Sequence, residues 1–469
     1  MKKIFRLTSL AAASLVLAGC ASINMDQAVR DTNDTTKTFT QGKLELSRTE
    51  QQGQARARLS SELLAKPLSM DDAVQRALAN SPAVQTLLAQ SWADMAQANQ
   101  AGRIANPLFT FERTTFGSEL ELGRLLSFGL LDLLTLPQRQ VISRGQIAQA
   151  KVQLSANVVE QVTQVRQTWV RAVAAQQTLE YANQVNRSAQ ASAELARRMQ
   201  QVGNFTRLQR ARQQSFYADS TAQLASSQHA STAAREELIR QLGLTDAQAG
   251  QLKLPERLPD LPKEPQQAAV VNANQQRLDV QLARHQLDNA GKSQGLNLIT
   301  SLVDVELGIR RDTVFDNAAG TSTPRKGYEL DIRLPIFDWG TAKRDAMNAQ
   351  SLAAASRYES TVRGASSQLR ESYSAYRTAY DVARHYRDEI VPLRKTMAEE
   401  NILRYNGMLI GVFELLADNR DQISSVTAAI NAYQQFWLAD AALAASMTGK
   451  PTATMMAAPA AGGGEAAGH

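Results

Sequence analysis

Residues 299–311 contain the stretch "SLVDVELGIRR", in which apolar and charged side chains alternate. The odd-numbered residues from Val305 to Ile309 are apolar and share one face of an extended chain, whereas Glu306 lies on the other face. Residues 326–337 contain a second stretch, "GYELDIRLPIF", that alternates in the same way. This period of two predicts a pair of neighbouring β-strands.

The alternation alone fits two kinds of sheet equally well. A water-soluble sheet packs its apolar face on a core, and a transmembrane barrel turns its apolar face to lipid. The strands are about ten residues long, which suits a membrane span. Acid and base occur together on the polar face, and the N-terminus carries a lipid-attachment signal, described below. These three facts favour the barrel wall, with the polar side chains towards a lumen.

A second strand pair is predicted near residues 107–130, in "NPLFTFERTTF" and "ELELGRLLSFG". Here the alternation is less regular, because Arg124 falls on the apolar face. Either Gly123 marks a β-bulge that shifts the register, or Arg124 reaches an interface. Both interpretations stay open at the level of sequence.

The chain is internally duplicated. The segment "ANSPAVQTLLAQSWADMAQA", which starts at Ala79, aligns without a gap with "ANQQRLDVQLARHQLDNA", which starts at Ala273. The same order of elements then follows twice, which predicts two repeats at about 68–243 and 266–449. The connector at 244–265 contains prolines that rule out a continuous helix.

Each repeat is expected to contain a leading helix, the strand pair, a long helix and a return helix. The predicted leading helices lie near 70–102 and 266–295, the long helices near 138–200 and 340–403, and the return helices near 204–243 and 413–447. A long helix of this size would extend about 90 Å. The first one has a coiled-coil seam at Val158, Val162, Val165, Trp169 and Ala172. If each leading and return helix stack end to end, the chain forms four helical columns.

The N-terminus reads "MKKIFRLTSLAAASLVLAGC" and has the layout of a secretory signal at 1–19. A transmembrane anchor is the alternative, but its apolar run is little more than half of the roughly 20 residues needed. "LAGC" resembles the bacterial lipobox, which makes Cys20 the predicted lipidation site. The polar residues 20–67 are predicted to be an extended tether or a wrapping segment, and 450–469 a disordered tail.

Composition excludes several functions. Cys20 is the only cysteine, so no internal disulfide can form. The net charge of +6 is spread along the chain, and nucleic-acid binding is not predicted. No catalytic constellation, metal site or cofactor motif is found, and we expect no enzyme activity. The histidines lack metal-ligand spacing and are interpreted as solvated helix residues: His229, His285, His385 and His469.

Four strands cannot close a barrel, and unpaired strand edges are prohibitively costly in a bilayer. Closure therefore requires further copies of the chain. Two copies would give eight strands, whose interior is filled by side chains, whereas three copies would give twelve and leave a channel. We therefore predict a homotrimer.

Several motifs together identify a resemblance to the TolC-like outer-membrane efflux proteins, in their lipoprotein branch. They are, in chain order, "LAGC", "ALANSPAV", "MQQVGNF", "LDIRLPIFDWGTAKR" and "YNGMLIGVFELL". The resemblance covers nearly all of the chain from Cys20 to Gly449. The first repeat departs from it, because "FGLLDLLTLPQR" replaces the Phe-Asp-x-Gly motif that follows the second strand pair.

The resemblance implies a mostly α protein with transmembrane β-strands. Its trimeric twelve-stranded β-barrel would cross the outer membrane of a Gram-negative bacterium and continue as an α-helical barrel in the periplasm. The two helix breaks would dock onto a periplasmic adaptor that connects to an inner-membrane pump. The implied docking residues are Val202, Gly203, Asn204, Phe205, Gly407, Met408, Leu409, Ile410 and Gly411. The implied function is passive export without catalysis.

Two further alternatives concern the entrance and the class of protein. Glu414 and Asp418 lie one turn apart on a helix after the second break, and a trimer would turn each into a ring of carboxylates at the entrance. The alternative is that both are ordinary surface charges. A lipid-anchored periplasmic adaptor or coiled-coil scaffold is the competing function, although the duplicated strand-and-hairpin unit favours a channel.

Overall fold

The computed structural model describes residues 23–41, 43–265, 276–300, 304–316, 318–333 and 336–451; the side chains at 297–300, 304, 412–413 and 416–419 lie outside this description. The chain divides into two units. Unit 1 comprises Met1–Thr32, Leu88–Leu154 and Asp279–Arg363, and it contains the sheet. Unit 2 comprises Asn33–Leu87, Ser155–Leu278 and Gly364–His469.

The described chain is mostly helical. The first half contains α1 (Met25–Thr40), α2 (Glu50–Leu64), α3 (Met70–Asn80), α4 (Pro82–Ala101), β1 (Leu108–Phe116), β2 (Glu119–Gly129), α5 (Leu130–Gln201), α6 (Arg207–Leu242) and the short α7 (Asp246–Ala249). The second half contains α8 (Leu278–Thr300), β3 (Asp304–Asp316), β4 (Thr321–Arg333), α9 (Thr341–His385), a π-helical turn (Tyr386–Ile390), α10 (Val391–Asn406) and α11 (Val412–Thr448).

The N-terminal stretch differs from the predicted extended tether, because it contains α1 and α2. Sequence patterning missed α1 because threonines, which are not counted as apolar, occupy much of its buried face. That face consists of Met25, Ala28, Val29, Thr32, Thr36, Phe39 and Thr40. Helix α2 begins with a capping box in which Thr49 and Gln52 each accept a hydrogen bond from the other's backbone N–H.

Three predicted helix boundaries also differ, and a proline is involved each time. The leading helix of the first half is divided before Pro82, because the residue before a proline favours an extended backbone. Helix α5 begins at Leu130 and continues through Pro137, since its leucine-rich first turns are strong helix formers. In the second half, the π-helical turn interrupts the long helix just before Pro392, which has no N–H to donate.

The four strands form one antiparallel sheet in the order β1-β2-β3-β4. The register is uninterrupted through the region where a bulge was considered: Phe111 pairs with Arg124 and Glu112 pairs with Gly123. Strands β2 and β3 keep one register on both sides of Gly123. Gly123 is therefore no bulge, and Arg124 lies on the apolar face.

Gly123 instead provides room on the polar face. A Cβ at this position would lie 3.3 Å from the Arg310 guanidinium and 3.3 Å from an Asp312 carboxylate oxygen. These distances are tighter than ordinary van der Waals contact. The glycine thus leaves space for the Arg310 side chain to reach across β2 to Glu112 of β1.

The buried core of unit 2 includes the predicted seam of α5. Its five positions, Val158, Val162, Val165, Trp169 and Ala172, are all almost completely buried. An aromatic cluster also lies in unit 2, where Phe436 packs against Tyr376 and Tyr380 with ring centroids 5.5 and 5.7 Å away. The Tyr380 hydroxyl donates to the Pro262 carbonyl at 3.1 Å, and Trp437 Nε1 donates to the Pro259 carbonyl at 3.1 Å. The proline-rich connector is therefore bound to α9 and α11.

Several predicted features lie outside the described residues. They are the signal segment 1–19, Cys20, the tail beyond residue 451, and the "LP" of the "LPIF" motif at 334–335. Within the described residues, no helix has both the length and the apolar character required to span a membrane.

Candidate functional site

The first candidate site is the polar face of the sheet, on which an ion cluster surrounds Arg310. Its guanidinium lies 2.9 Å from an Asp312 carboxylate oxygen, 3.3 Å from Glu112 and 3.7 Å from Glu329. These four residues belong to β1, β3 and β4, so the cluster links three strands of the sheet across Gly123 of β2. The charge of Arg310 is neutralised within the sheet itself.

The opposite face is apolar and exposed. Tyr328, which pairs with Ile309, is 87% exposed, and Phe109, Leu330 and Ile332 are also exposed. A sheet that packs this face on a core of its own would bury these side chains. The exposed apolar face therefore requires an apolar environment from outside the chain. The alternation in the sequence assigns these same residues to this face.

The second candidate site consists of the two turns that join the long helices to the return helices. In the first turn, α5 ends at Gln201, and Gly203 then has a left-handed backbone conformation with φ +80. The Asn204 N–H donates to the Met199 carbonyl at 2.9 Å, which closes the helix end as a Schellman motif does. Phe205 is then buried, and Thr206 caps α6.

The second turn repeats this geometry, with Met408 in place of Gly203. Met408 has φ +58, and the Leu409 N–H donates to the Arg404 carbonyl at 2.8 Å. Ile410 is buried, as Phe205 is in the first turn, and Gly411 is the N-cap of α11. The sequence has one glycine at the start of each helix break, Gly203 and Gly407, and so suggests that these two residues correspond. Gly407 has φ −79, however, so the structural counterpart of Gly203 is Met408.

Both turns expose apolar side chains. Val202 is 69% exposed in the first turn, and Met408 and Leu409 are 93% and 75% exposed in the second. Further along the hairpins, the Arg420 guanidinium lies 4.4 Å from the centroid of the Phe216 ring and donates to the Arg212 carbonyl at 3.4 Å. This contact joins α6 of the first hairpin to α11 of the second, within unit 2.

The predicted entrance acids both belong to α11. Glu414 is exposed in the first turn of this helix. Asp418 lies one helical turn further on, and its side chain falls outside the description. Whether the two carboxylates line a constriction in an assembled channel stays a prediction.

Among the described residues, no group of three or more His, Cys, Asp or Glu side chains is placed to hold a metal ion. His385 contacts Glu389 on the next helical turn, with 3.3 Å between Nδ1 and the carboxylate. His469, which was interpreted as a solvated helix residue, lies outside the described residues.

Sequence reasoning missed two features of these sites. Met408 was not singled out as a left-handed residue, because that conformation is uncommon for residues other than glycine. The cations Arg311 and Lys326 were not assigned to the apolar face. The sequence does contain the signal, because side chains two positions apart in a strand share a face. Arg311 is two positions after Ile309, and Lys326 is two positions before Tyr328.

The fold formed by these strands and helical hairpins is shared with solved structures of outer-membrane proteins. The chain is similar to a membrane protein from Pseudomonas aeruginosa, with 19% identity, a TM-score of 0.68, and coverage of 81% of this chain and 93% of that chain. It is similar to the outer membrane protein VceC from Vibrio cholerae, with 15% identity, a TM-score of 0.67, and coverage of 81% and 96%. It is also similar to the open state of the MtrE outer membrane channel of Neisseria gonorrhoeae, with 18% identity, a TM-score of 0.60, and coverage of 86% and 91%.

No protein-family model and no curated protein sequence matches the chain. The structural similarities confirm, for the fold, the predicted resemblance to the TolC-like outer-membrane efflux channels. Of these neighbours, MtrE is an outer membrane channel.

Proposed function

We propose that this protein is the outer-membrane channel of a tripartite efflux system and acts as a passive export duct from the periplasm to the outside. The observation that carries the proposal is the four-stranded sheet, which has an exposed apolar face and a charged face and whose strand order ends at β1 and β4. The similarity of the whole fold to outer-membrane channels supports the same conclusion.

Closure of the sheet is the reason for proposing a homotrimer. Strands β1 and β4 are the edges of the sheet among the described residues, and each has one neighbour. Edge N–H and C=O groups cannot stay unpaired in hydrocarbon. Pairing β1 of one copy with β4 of the next satisfies them, and three copies give a twelve-stranded barrel with room for a channel.

The two faces then take opposite environments. The face that contains Phe109, Tyr328, Leu330 and Ile332 would contact lipid, because its large apolar side chains are already exposed in one copy. The face that contains Arg310 and its carboxylate partners would line the lumen, where water solvates the remaining charges.

The apolar hairpin turns are proposed as the docking surface for a periplasmic adaptor, itself connected to an inner-membrane pump. Val202, Met408 and Leu409 offer exposed apolar area on backbones that are fixed by hydrogen bonds. Exposed apolar groups on a rigid backbone suit protein docking, since little conformational freedom is lost on binding. At the same end, Glu414 and Asp418 would form an acidic entrance that favours cations.

Cys20 is proposed as the lipid anchor of the mature chain. Replacing it by alanine is expected to remove labelling of the protein by radioactive fatty acid, since no other thiol is present. Insertion of the barrel should persist, because the apolar belt supplies most of the membrane affinity. Fatty-acid label that remains on the Cys20→Ala protein would show that Cys20 is not the lipidation site.

The decisive experiment measures oligomeric state and conductance together. The detergent-extracted protein should have the mass of a trimer and should form ion-conducting pores in a planar bilayer. Ile332→Lys should impair assembly by about 2–4 kcal/mol, because it places a charge on the lipid face. Asp331→Lys, one residue earlier on the opposite face, is the matched control and should assemble normally.

The outcome also separates the channel from a lipid-anchored adaptor or scaffold. An adaptor would give no conductance, and its assembly would not distinguish Ile332→Lys from Asp331→Lys. Equal effects of both substitutions on a protein that does conduct would instead show that the faces are assigned wrongly.

A further inference from the structure

The two faces of the sheet differ in the sign of their charges as well as in polarity. The strand register places every acidic residue of β1–β4 on the face of Arg310. The apolar face has four charged residues, and all of them are cations: Arg113, Arg124, Arg311 and Lys326. The charge on the apolar face is therefore purely positive.

Three of these cations form one row across adjacent strands. Arg311 pairs directly with Lys326, and the register of β2 and β3 brings Arg124 level with Arg311. Phe111 continues the row on β1, and Arg113 lies one row further towards the strand turns. Neighbouring strands are about 4.8 Å apart, so the three cations lie within reach of a single anionic group.

Among the described residues, no carboxylate neutralises the row. Arg113, Arg311 and Lys326 are exposed and Arg124 is partly exposed, and in the described part of the chain none of the four forms an ion pair. Like charges opposite one another on a sheet are destabilising unless something offsets them. Arg310, one residue from Arg311 but on the opposite face, has three carboxylates within 4 Å.

The position of the row along the strands indicates its surroundings. Arg311 lies six positions after Val305, which is about 20 Å along the strand. The rows between them, at Leu307 and Ile309, are apolar, and Tyr328 lies directly beside the row. The apolar band of a membrane barrel is about 25 Å tall and is bordered by aromatic residues. The cations therefore lie at the border of the apolar band nearest the strand turns.

We propose that the row formed by Arg124, Arg311 and Lys326, together with Arg113, binds phosphate-bearing lipid headgroups of the leaflet that faces the strand turns. This inference rests on the proposed membrane barrel. Guanidinium and ammonium groups suit phosphate, and long cationic side chains reach headgroups while their stems stay in the apolar band. The apolar rows beside the cations would contact the acyl chains, which favours a lipid over a free anion.

The test compares lipids that co-purify with the full-length protein. Wild type and the Arg124→Gln/Arg311→Gln/Lys326→Gln variant are purified in micelles that contain equal amounts of phosphatidylglycerol and phosphatidylcholine. Wild type should be enriched in phosphatidylglycerol, and the triple variant should lose this enrichment by about fivefold or more. Arg325→Gln is the matched control, because Arg325 is exposed on the opposite face next to Lys326.

The Arg124→Lys/Arg311→Lys variant keeps both charges and should keep the enrichment, which separates loss of charge from loss of folding. Inorganic phosphate added as a second probe should displace little lipid, since it lacks acyl chains. Equal enrichment in wild type and the triple variant, or complete displacement by inorganic phosphate, would overturn the proposal.

Conductance of wild type in a planar bilayer keeps the two proposals distinct. A wild-type protein that forms no pore but shows charge-dependent enrichment would refute the channel and retain the lipid site. A protein that conducts normally and shows no such enrichment would do the reverse.

Discussion

The two hairpin turns have the same backbone but different residues at the position that most constrains it. In the first turn, Gly203 occupies the left-handed conformation at φ +80, which glycine adopts without steric cost. In the second turn, Met408 occupies it at φ +58, where a side chain costs about 1 kcal/mol or more. The hydrogen bonds from Asn204 and Leu409 that close the two turns are nevertheless nearly equal in length.

The same turn backbone therefore forms even where the left-handed position is not a glycine, so other residues must help to stabilise it. A buried apolar residue follows at equal spacing in both turns, Phe205 in the first and Ile410 in the second. Met408 is almost fully exposed, so its side chain gains no packing that would offset the backbone strain. Within the proposed function, contact with the adaptor would supply that packing.

The largest expected effect concerns the buried residue of each turn. Phe205→Ala should destabilise the first turn by about 3 kcal/mol, and Ile410→Ala the second by about 2 kcal/mol, because Phe loses more buried area. Hydrogen exchange of the Asn204 and Leu409 amides reports each turn separately. A larger destabilisation by Ile410→Ala than by Phe205→Ala would contradict this expectation. It would show that the turn with the strained Met408 depends more on its buried residue than the turn with Gly203 does.

A second difference between the hairpins is a partly buried acid, Asp440, on α11. Burial raises the pKa of Asp440 from 3.8 to about 6, and the charge of Arg166 partly opposes this shift. The folded protein therefore binds this proton more tightly than the unfolded chain. The stability that the proton provides is complete below about pH 4 and is lost as the pH rises to about 6.

Asp440→Asn removes this dependence. Between pH 4 and pH 7, the variant should gain about 2 kcal/mol of stability relative to wild type, measured as thermal unfolding in detergent across a pH series. The control is Asp219→Asn, an exposed site on α6 of the first hairpin, which should leave the pH profile unchanged. Parallel profiles for wild type and Asp440→Asn would show that Asp440 is not buried in the assembled protein.

The smallest effect tests the pairing of the turns directly. Met408→Gly should raise the opening free energy measured by hydrogen exchange at the Leu409 amide by about 1 kcal/mol, because it removes the strain. Gly203→Ala should lower the opening free energy at the Asn204 amide by a similar amount. Gly407→Ala is the control and should have little effect, because φ −79 suits any residue. A large loss at Gly407 with none at Met408 would restore the pairing of Gly203 with Gly407.

The parts of the fold that depend on local periodicity could be predicted from the sequence. The period of two at 304–309 identified both the strand and its apolar face, because side-chain direction in a strand follows from position alone. Relations between strands could not be predicted in this way. Whether Gly123 was a bulge, and which cations lie level with Arg124, depends on register, which only the paired sheet defines.

Local exceptions were also beyond the sequence. The α1 helix was missed because Thr32 and Thr36 contribute to its buried face, and Thr32 donates its hydroxyl to the Ala28 carbonyl at 2.9 Å. A hydroxyl satisfied by its own helix can be buried, yet it counts as polar in a pattern. The strain at Met408 was missed for a related reason, since glycine is the residue by which such turns are recognised.

The binding of the proline-rich connector has a consequence for the order in which the chain folds. The Pro262 carbonyl accepts from Tyr380, 118 residues later, and the Pro259 carbonyl accepts from Trp437, 178 residues later. Closing loops of this size is slow compared with helix formation, so the hairpins form first and the connector binds last. We therefore expect the connector to bind after the hairpins have formed, and truncation after the first repeat would leave the Pro259 and Pro262 carbonyls without these donors.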